Sequence, residues 1–449
     1  MPKFRYRTPY RFYTLAKAGF GLAYLWYMVD FFRIHEALDQ GMSALLGGSS
    51  GLMFTGNEAL DSHLRVVADL AGSRPMAWLF LLASPFAMAL FLWGRHRWLQ
   101  FSVGLWVSVS MISMSALAGV FCTTADIWVH YVFLMYTLSA ALSPGDSWAG
   151  SEPGLEAGLW KANPTLDSTY AWLIVCLQFT VYFFAGVNKL VFGWAPWTSG
   201  AALQNLAFDS SMHAFARGIA VPLWIALPLC YVTLAQRLVV PFWFYVRRLR
   251  LWSVLVLGTM HIGYAILMYV NLFPLIGISC LLMVLPPAGP EAPQAPAAPA
   301  AKKKAPSAQA LPWRTGILCA LTLWLFLEPL RLMGANFTAW EGRFMVVPTW
   351  RMFADGGVSS GGKWRIILRT KAGDVDATPL PLELLPHSWR DRFYVDYVFH
   401  NLLNGQTGAG SLPDLLLQTT ETLYQQRQTA AHADPAILSA GFVLLPRNS

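Results

Sequence analysis

Ala171-Trp-Leu-Ile-Val-Cys-Leu-Gln-Phe-Thr-Val-Tyr-Phe-Phe-Ala-Gly-Val-Asn-Lys-Leu190 is the stretch whose reading decides the fold. Its only charge is Lys189, next to the end. A helix needs about 20 such residues to cross the hydrocarbon core of a bilayer. With no water there, a helix is the structure that satisfies its own backbone groups. Working outward from this run, placed at 168–190, comparable apolar runs lie near 13–32, 75–93, 98–121, 127–142, 219–245, 251–267, 271–286 and 313–332. Period-two alternation is weak, which argues against a barrel. The expected fold is an all-α polytopic membrane bundle of about nine transmembrane helices, with a small C-terminal α+β extramembrane domain. The stretch 251–286 is too long for one helix. Asn271 and Pro274 offer a break, so either two spans or a tight re-entrant turn fits it.

Composition agrees with this class. The 449 residues are 55% hydrophobic and 12% charged, where a soluble domain carries roughly a quarter charged residues. The net charge of +8 is not spread as a nucleic-acid surface. It clusters beside the apolar runs, at Lys3, Arg5, Arg7 and Arg11, at Arg247, Arg248 and Arg250, and at Lys302 to Lys304, as topology signals do. With the N-terminus inside, the inner segments hold 14 Lys and Arg and the outer loops hold 4. That asymmetry expects a cytoplasmic N-terminus and an extracytoplasmic C-terminus. The first run follows a basic segment, lacks a small-residue cleavage site and carries Asp30, so it reads as an uncleaved signal anchor. The five cysteines are isolated, without CxxC spacing, and support neither a disulfide framework nor a zinc site. No metal and no nucleic-acid partner are expected.

Four segments follow. Residues 1–286 form the bundle of eight spans, and 287–311 an Ala/Pro/Lys-rich cytoplasmic linker of low complexity. Residues 312–332 are the last span, and 333–449 the extracytoplasmic α+β domain. In that domain Trp364 to Thr370, Lys371-Ala-Gly and Asp374 to Thr378 read as a hairpin with a glycine turn. Residues 388–403 and 413–430 read as helices.

Ionisable residues at membrane depth are costly and are therefore functional candidates. Three stand out: His130 in the fourth span, Lys189 ending the fifth and His261 in the seventh. The alternating directions of the spans bring all three to the outer half of the membrane. Each also has a structural reading: Lys189 as a snorkelling anchor, and either histidine as a satisfied packing residue. Asp126 lies four residues before His130, one helix turn away. It either orients the imidazole or caps the helix after Thr123 and Thr124. Tyr182, Gly186 and Lys189 share one helix face, where Gly186 leaves room for a ligand or, more commonly, a neighbouring helix. Trp194 and Trp197 fit an interfacial aromatic belt.

These residues also carry a resemblance. Tyr182-Phe-Phe-Ala-Gly-Val-Asn-Lys-Leu190 followed by Trp194 resembles the signature of vitamin K-dependent γ-glutamyl carboxylase and of the wider horizontally transferred transmembrane (HTTM) family. Trp128-Val-His-Tyr131, His261-Ile-Gly through Phe273-Pro274, and Trp350-Arg-Met-Phe353 resemble three further blocks of that family, in the same order.

The resemblance implies an enzyme of the bacterial inner membrane. It would couple oxidation and epoxidation of a reduced quinone of vitamin K or menaquinone type to carboxylation of a glutamate in a peptide or small carboxylate. Oxygen and CO2 are its co-substrates. The implied base is Lys189, the implied carboxylation histidine is His130, and His261 joins them. A lysine acts as a base only in its neutral form. Asp126, Tyr182 and Asn188 would orient these groups. Trp350, Met352 and Phe353 would lie over the mouth of the site, facing a peptide that arrives from the extracytoplasmic side. The chain departs from the carboxylase at Asn188, which stands where a first lysine is found, and at Val191-Phe192-Gly193, which replace acidic residues. Ala354-Asp355 stands where a histidine is found. A non-catalytic HTTM protein that binds or exports a peptide or lipid is the alternative.

Overall fold

The computed structural model describes residues 6–37, 74–93, 96–118, 124–142, 165–204, 221–267, 272–286, 312–334, 362–380, 412–431 and 436–446. Helices occupy every expected apolar run: α1 Tyr10–Ala37, α2 Arg74–Trp93, α3 Arg97–Ala118, α4 Thr124–Leu142 and α5 Thr169–Phe192. They are followed by the short α6 Trp194–Ser199, then α7 Leu223–Val239, α8 Arg250–Leu267, α9 Phe273–Val284 and α10 Pro312–Gly334. Among the described residues, three helices are long and apolar enough to cross a membrane: Thr169–Val191, Leu223–Tyr245 and Arg247–Ile266. Four others are shorter apolar helices. The expectation of nine crossings is therefore not carried by helix length and hydropathy. The extreme case is α9, whose 12 residues span about 18 Å at 1.5 Å per residue, well short of a ~30 Å hydrocarbon core.

Local chemistry sets the ends of these elements. The side chain of Ser168 caps α5 by accepting from the Ala171 N–H at 3.2 Å. At the other end the Gly193 N–H donates to the Lys189 carbonyl at 3.1 Å, and the chain turns directly into α6. The expected span 219–245 changes character at Val239 and continues as a 3-10 helix over Val240–Tyr245. Pro241 explains the switch, since it lacks an N–H and its ring crowds the preceding turn.

One end of the bundle is tied by contacts that the apolar pattern does not announce. Strand β1, Tyr6–Pro9, pairs antiparallel with β2, Thr165–Ser168, which sets the starts of α1 and α5 side by side. The Tyr6 hydroxyl donates to the Phe244 carbonyl at 2.7 Å, and burial pushes its phenol far above the usual range, so it stays a donor. Arg250 covers the Tyr6 ring at 4.0 Å and donates to the carbonyls of Phe244 (3.1 Å) and Arg7 (3.4 Å). Arg97 donates to the carbonyls of Ala140 and Ala141, at 2.6 and 2.5 Å, satisfying the open end of α4. Tyr136 near that end packs on Tyr170 at the start of α5.

Around α5 the core is aromatic. Trp128, Tyr131, Tyr136, Tyr170 and Tyr182 are fully buried, as are Tyr13, Phe20, Tyr24 and Phe91. Of the α5 window, 83% is buried, against 28% for α7 and 22% for α8. Thus α5 is the central helix, and α7 and α8 lie at the periphery, turning Trp224, Leu229, Trp252, Leu255, Ile262 and Ile266 outward.

Beyond α10, β3 Gly362–Thr370, β4 Gly373–Asp376 and β5 Ile437–Pro446 form an antiparallel sheet in the order β4-β3-β5. The expected hairpin is β3–β4, turning through Lys371 and Ala372 into Gly373, whose φ of 123° only glycine adopts freely. The long partner β5 has no counterpart in the sequence reading. Helix α11, Leu412–Ala430, matches the second expected helix. The first, at 388–403, and the linker 287–311 lie outside the described residues.

Candidate functional site

The site is built where the start of α4, the C-terminal half of α5, and the junction of α8 and α9 meet. Tyr182 on α5 and His261 on α8 share a hydrogen bond of 2.5 Å between the hydroxyl and Nε2. Trp128 stands edge-on to Tyr182 with ring centroids 6.1 Å apart, and Phe273 lies 5.0 Å from His261 and 5.4 Å from Trp128. Gly277 on α9 makes room for the imidazole: a Cβ there would overlap the ring. Gln178, one turn before Tyr182, is buried and hydrogen-bonds the α9 backbone around Gly277. His261 Nδ1 has no hydrogen-bond partner among the described residues. The pair can therefore pass or hold a proton between oxygen and nitrogen inside an aromatic box.

Lys189 lies seven residues beyond Tyr182, about 10.5 Å further along the helix. It is fully buried. Its ammonium lies over the Trp197 ring at 4.9 Å and donates to the Ala185 carbonyl at 3.4 Å. The side chain folds back into the protein, so it does not act as a snorkelling anchor. Trp197 is correspondingly buried and not part of an exposed belt, whereas Trp194 is exposed. Asn188 beside it is buried as well.

His130 is buried on α4, yet it does not join the Tyr182–His261 pair. Trp128 faces that pair, and His130 is two residues on, about 200° around the helix. Residues at that spacing do not share a face. Its Nδ1 has no hydrogen-bond partner among the described residues. The neighbouring Tyr131 stacks on Trp324 of α10 at 6.0 Å. The expected single constellation of His130, Lys189 and His261 is thus resolved into three positions. His261 is in contact with a second candidate, Tyr182. Asp126 falls in the first turn of α4, but its side chain lies outside the described residues, as do Trp350, Met352 and Phe353.

Two buried cations escaped the sequence reading. Lys17 on α1 is buried beneath aromatic rings, 4.8 Å from the Phe91 centroid and 5.5 Å from Tyr136. Arg237 on α7 is fully buried and donates through Nη2 to the Tyr264 hydroxyl at 3.0 Å. Both carry the signal used for Lys189, a charge inside an apolar run. Their burial depends on what packs opposite, the rings of Phe91 and Tyr136 over Lys17 and α5 against Arg237, which the run that carries each residue does not state. No group of three His, Cys, Asp or Glu gathers among the described residues. No protein-family model, curated protein or solved structure matches the chain.

Proposed function

We propose that the chain is a membrane enzyme of the γ-carboxylase-like HTTM kind, which couples oxidation of a reduced quinone to carboxylation of a glutamate side chain. The observation that carries this reading is Lys189 withdrawn into the helical core against Trp197. An amine in such surroundings is placed to accept a proton from a ring hydroxyl when it is neutral. The reduced quinone, oxidised by O2 to its epoxide and water, supplies the base strength that a γ-proton demands. The protein's own residues fit a flat ring bearing oxygens: Tyr182 and His261 offer a shared proton, Arg237 Nε and Nη1 have no partner among the described residues, and Trp128 and Phe273 give aromatic walls. The glutamate loses its γ-proton and gains CO2, so one C–H bond is exchanged for one C–C bond.

The reading includes nine membrane crossings, a cytoplasmic N-terminus, an extracytoplasmic C-terminal domain and a bacterial inner membrane. What supports the topology is the basic end of the bundle. Arg7, Arg97, Arg247, Arg248 and Arg250 lie at element ends that meet there, as positive-inside segments would. The β1–β2 pairing demands an even number of crossings between residues 9 and 165, and α1 to α4 supply four.

One observation favours the non-catalytic alternative: His130 faces away from the Tyr182–His261 pair. Oxygen uptake by the purified chain with reduced menaquinone separates the two readings. Uptake above the rate of protein-free quinol supports the enzyme. A rate equal to that background leaves a protein that binds a peptide or lipid without turnover.

A further inference from the structure

Arg237 is placed where a cation is hard to keep. It has no solvent exposure, and its backbone is drawn against α5 by Gly186, where a Cβ would come within 3.0 Å of Arg237 Cβ. A guanidinium presents five N–H donors. Only Nη2 is engaged, by Tyr264, while Nε and Nη1 have no hydrogen-bond partner among the described residues. The described side chains of α1 to α9 include no Asp or Glu. A charge taken out of water without a partner is strongly unfavourable, and an arginine within a membrane bundle marks a ligand or ion path by default.

The surroundings say where a ligand would come from. Helix α7 packs chiefly on α5 and α8 chiefly on α9, with little direct contact between α7 and α8. The Arg237–Tyr264 hydrogen bond spans that seam. Both helices turn large apolar side chains outward, so the seam faces the bilayer. On its inner side Tyr264 lies 6.2 Å from Phe273 and 6.4 Å from His261, ring to ring.

We propose that Arg237 is the anion-binding residue of a site reached from the bilayer between α7 and α8, and that its ligand is the oxygen anion of an apolar molecule. Two sources share that chemistry: the ionised ring oxygen of a reduced quinone, and the carboxylate of a fatty chain. The anion site does not rest on the enzymatic reading; only the quinone source does.

The test uses the full chain in lipid nanodiscs, titrated with 2-hydroxy-1,4-naphthoquinone, which is an anion at neutral pH, and with its neutral 2-methoxy ether. Quenching of tryptophan fluorescence reports binding. Wild type should bind the anion about 10-fold or more tightly than the ether, as charge-assisted hydrogen bonds require. Arg237→Gln should lose the preference and Arg237→Lys should keep part of it. Equal binding of the two probes by wild type overturns the proposal even if no variant folds, and so does an unchanged preference in Arg237→Gln. Displacement of the anionic probe by reduced menaquinone assigns the ring oxygen, and displacement by oleate alone assigns the carboxylate. An Arg237-dependent preference in a protein that shows no quinol-driven oxygen uptake would keep this site and remove the enzymatic reading.

Discussion

Gly277 and His261 show what a single residue decides in this bundle. The imidazole occupies the space a side chain at 277 would take, and its Nε2 meets Tyr182. Gly277→Ala should therefore push the ring away from Tyr182 and cost about 1–3 kcal/mol, the usual penalty for overpacking a tight core. Unfolding of the purified variant in detergent would measure it, and a wild-type midpoint would refute the contact. Tyr182→Phe acts differently at the same spot. It leaves the buried His261 Nε2 without its partner, a loss of about 1–3 kcal/mol for an unsatisfied buried group. At this scale Lys189 and His261 were legible, because an ionisable residue interrupts an apolar run. Gln178 and Gly277 were not. Their roles depend on which helix lies opposite, and a single helix's sequence does not state that.

Among the elements, α5 was legible almost to the residue: the apolar run placed at 168–190 is the helix Thr169–Phe192. The β1–β2 pairing was not. Two four-residue strands some 160 positions apart leave no local periodicity, and their hydrogen bonds exist only once four helices have returned the chain to its start. The strand β5 was missed for the same reason, since its partner β3 lies across α11. Arg97 shows how one of these ends is secured, by donating to the last carbonyls of α4. Charge-assisted bonds at a helix C-terminus complement its dipole. Arg97→Met should destabilise the chain by roughly 1–3 kcal/mol and raise amide exchange in the last turn of α4. Unaltered exchange there would mean that the contact carries no weight.

For the molecule as a whole, fold class and orientation come from different kinds of information. Length and apolarity name a membrane bundle, yet by themselves they support only three crossing helices among the described residues. The proposed count of nine leans on the chain repeatedly returning to its basic end. Arg248 is exposed at that end. With the five native cysteines replaced by serine, a single cysteine placed by Arg248→Cys should thus react with an impermeant maleimide only after the cytoplasmic side is opened. Labelling of intact cells would invert the topology and move the Tyr182–His261 level to the cytoplasmic half. The candidate site was legible in its residue types and not in its grouping. Span direction expects His130, Lys189 and His261 at one depth, yet Lys189 lies about 10.5 Å along α5 from the Tyr182 that meets His261, and the rotation that turns His130 away from Tyr182 is not written in the run of α4. Arg237 sits inside the 219–245 run, and that run does not state that α5 closes over it at Gly186. The central claim is that the buried Lys189 serves quinol-driven carboxylation. It is tested most directly by incorporation of labelled CO2 into a glutamate-containing peptide, with reduced menaquinone and oxygen supplied to wild type, Lys189→Met and Lys189→Arg. The account expects incorporation by wild type and a loss of about 10²–10⁴-fold in both variants, because methionine has no base and guanidinium stays protonated. Incorporation undiminished in the folded Lys189→Met protein, or absent from wild type with every quinol supplied, would contradict it.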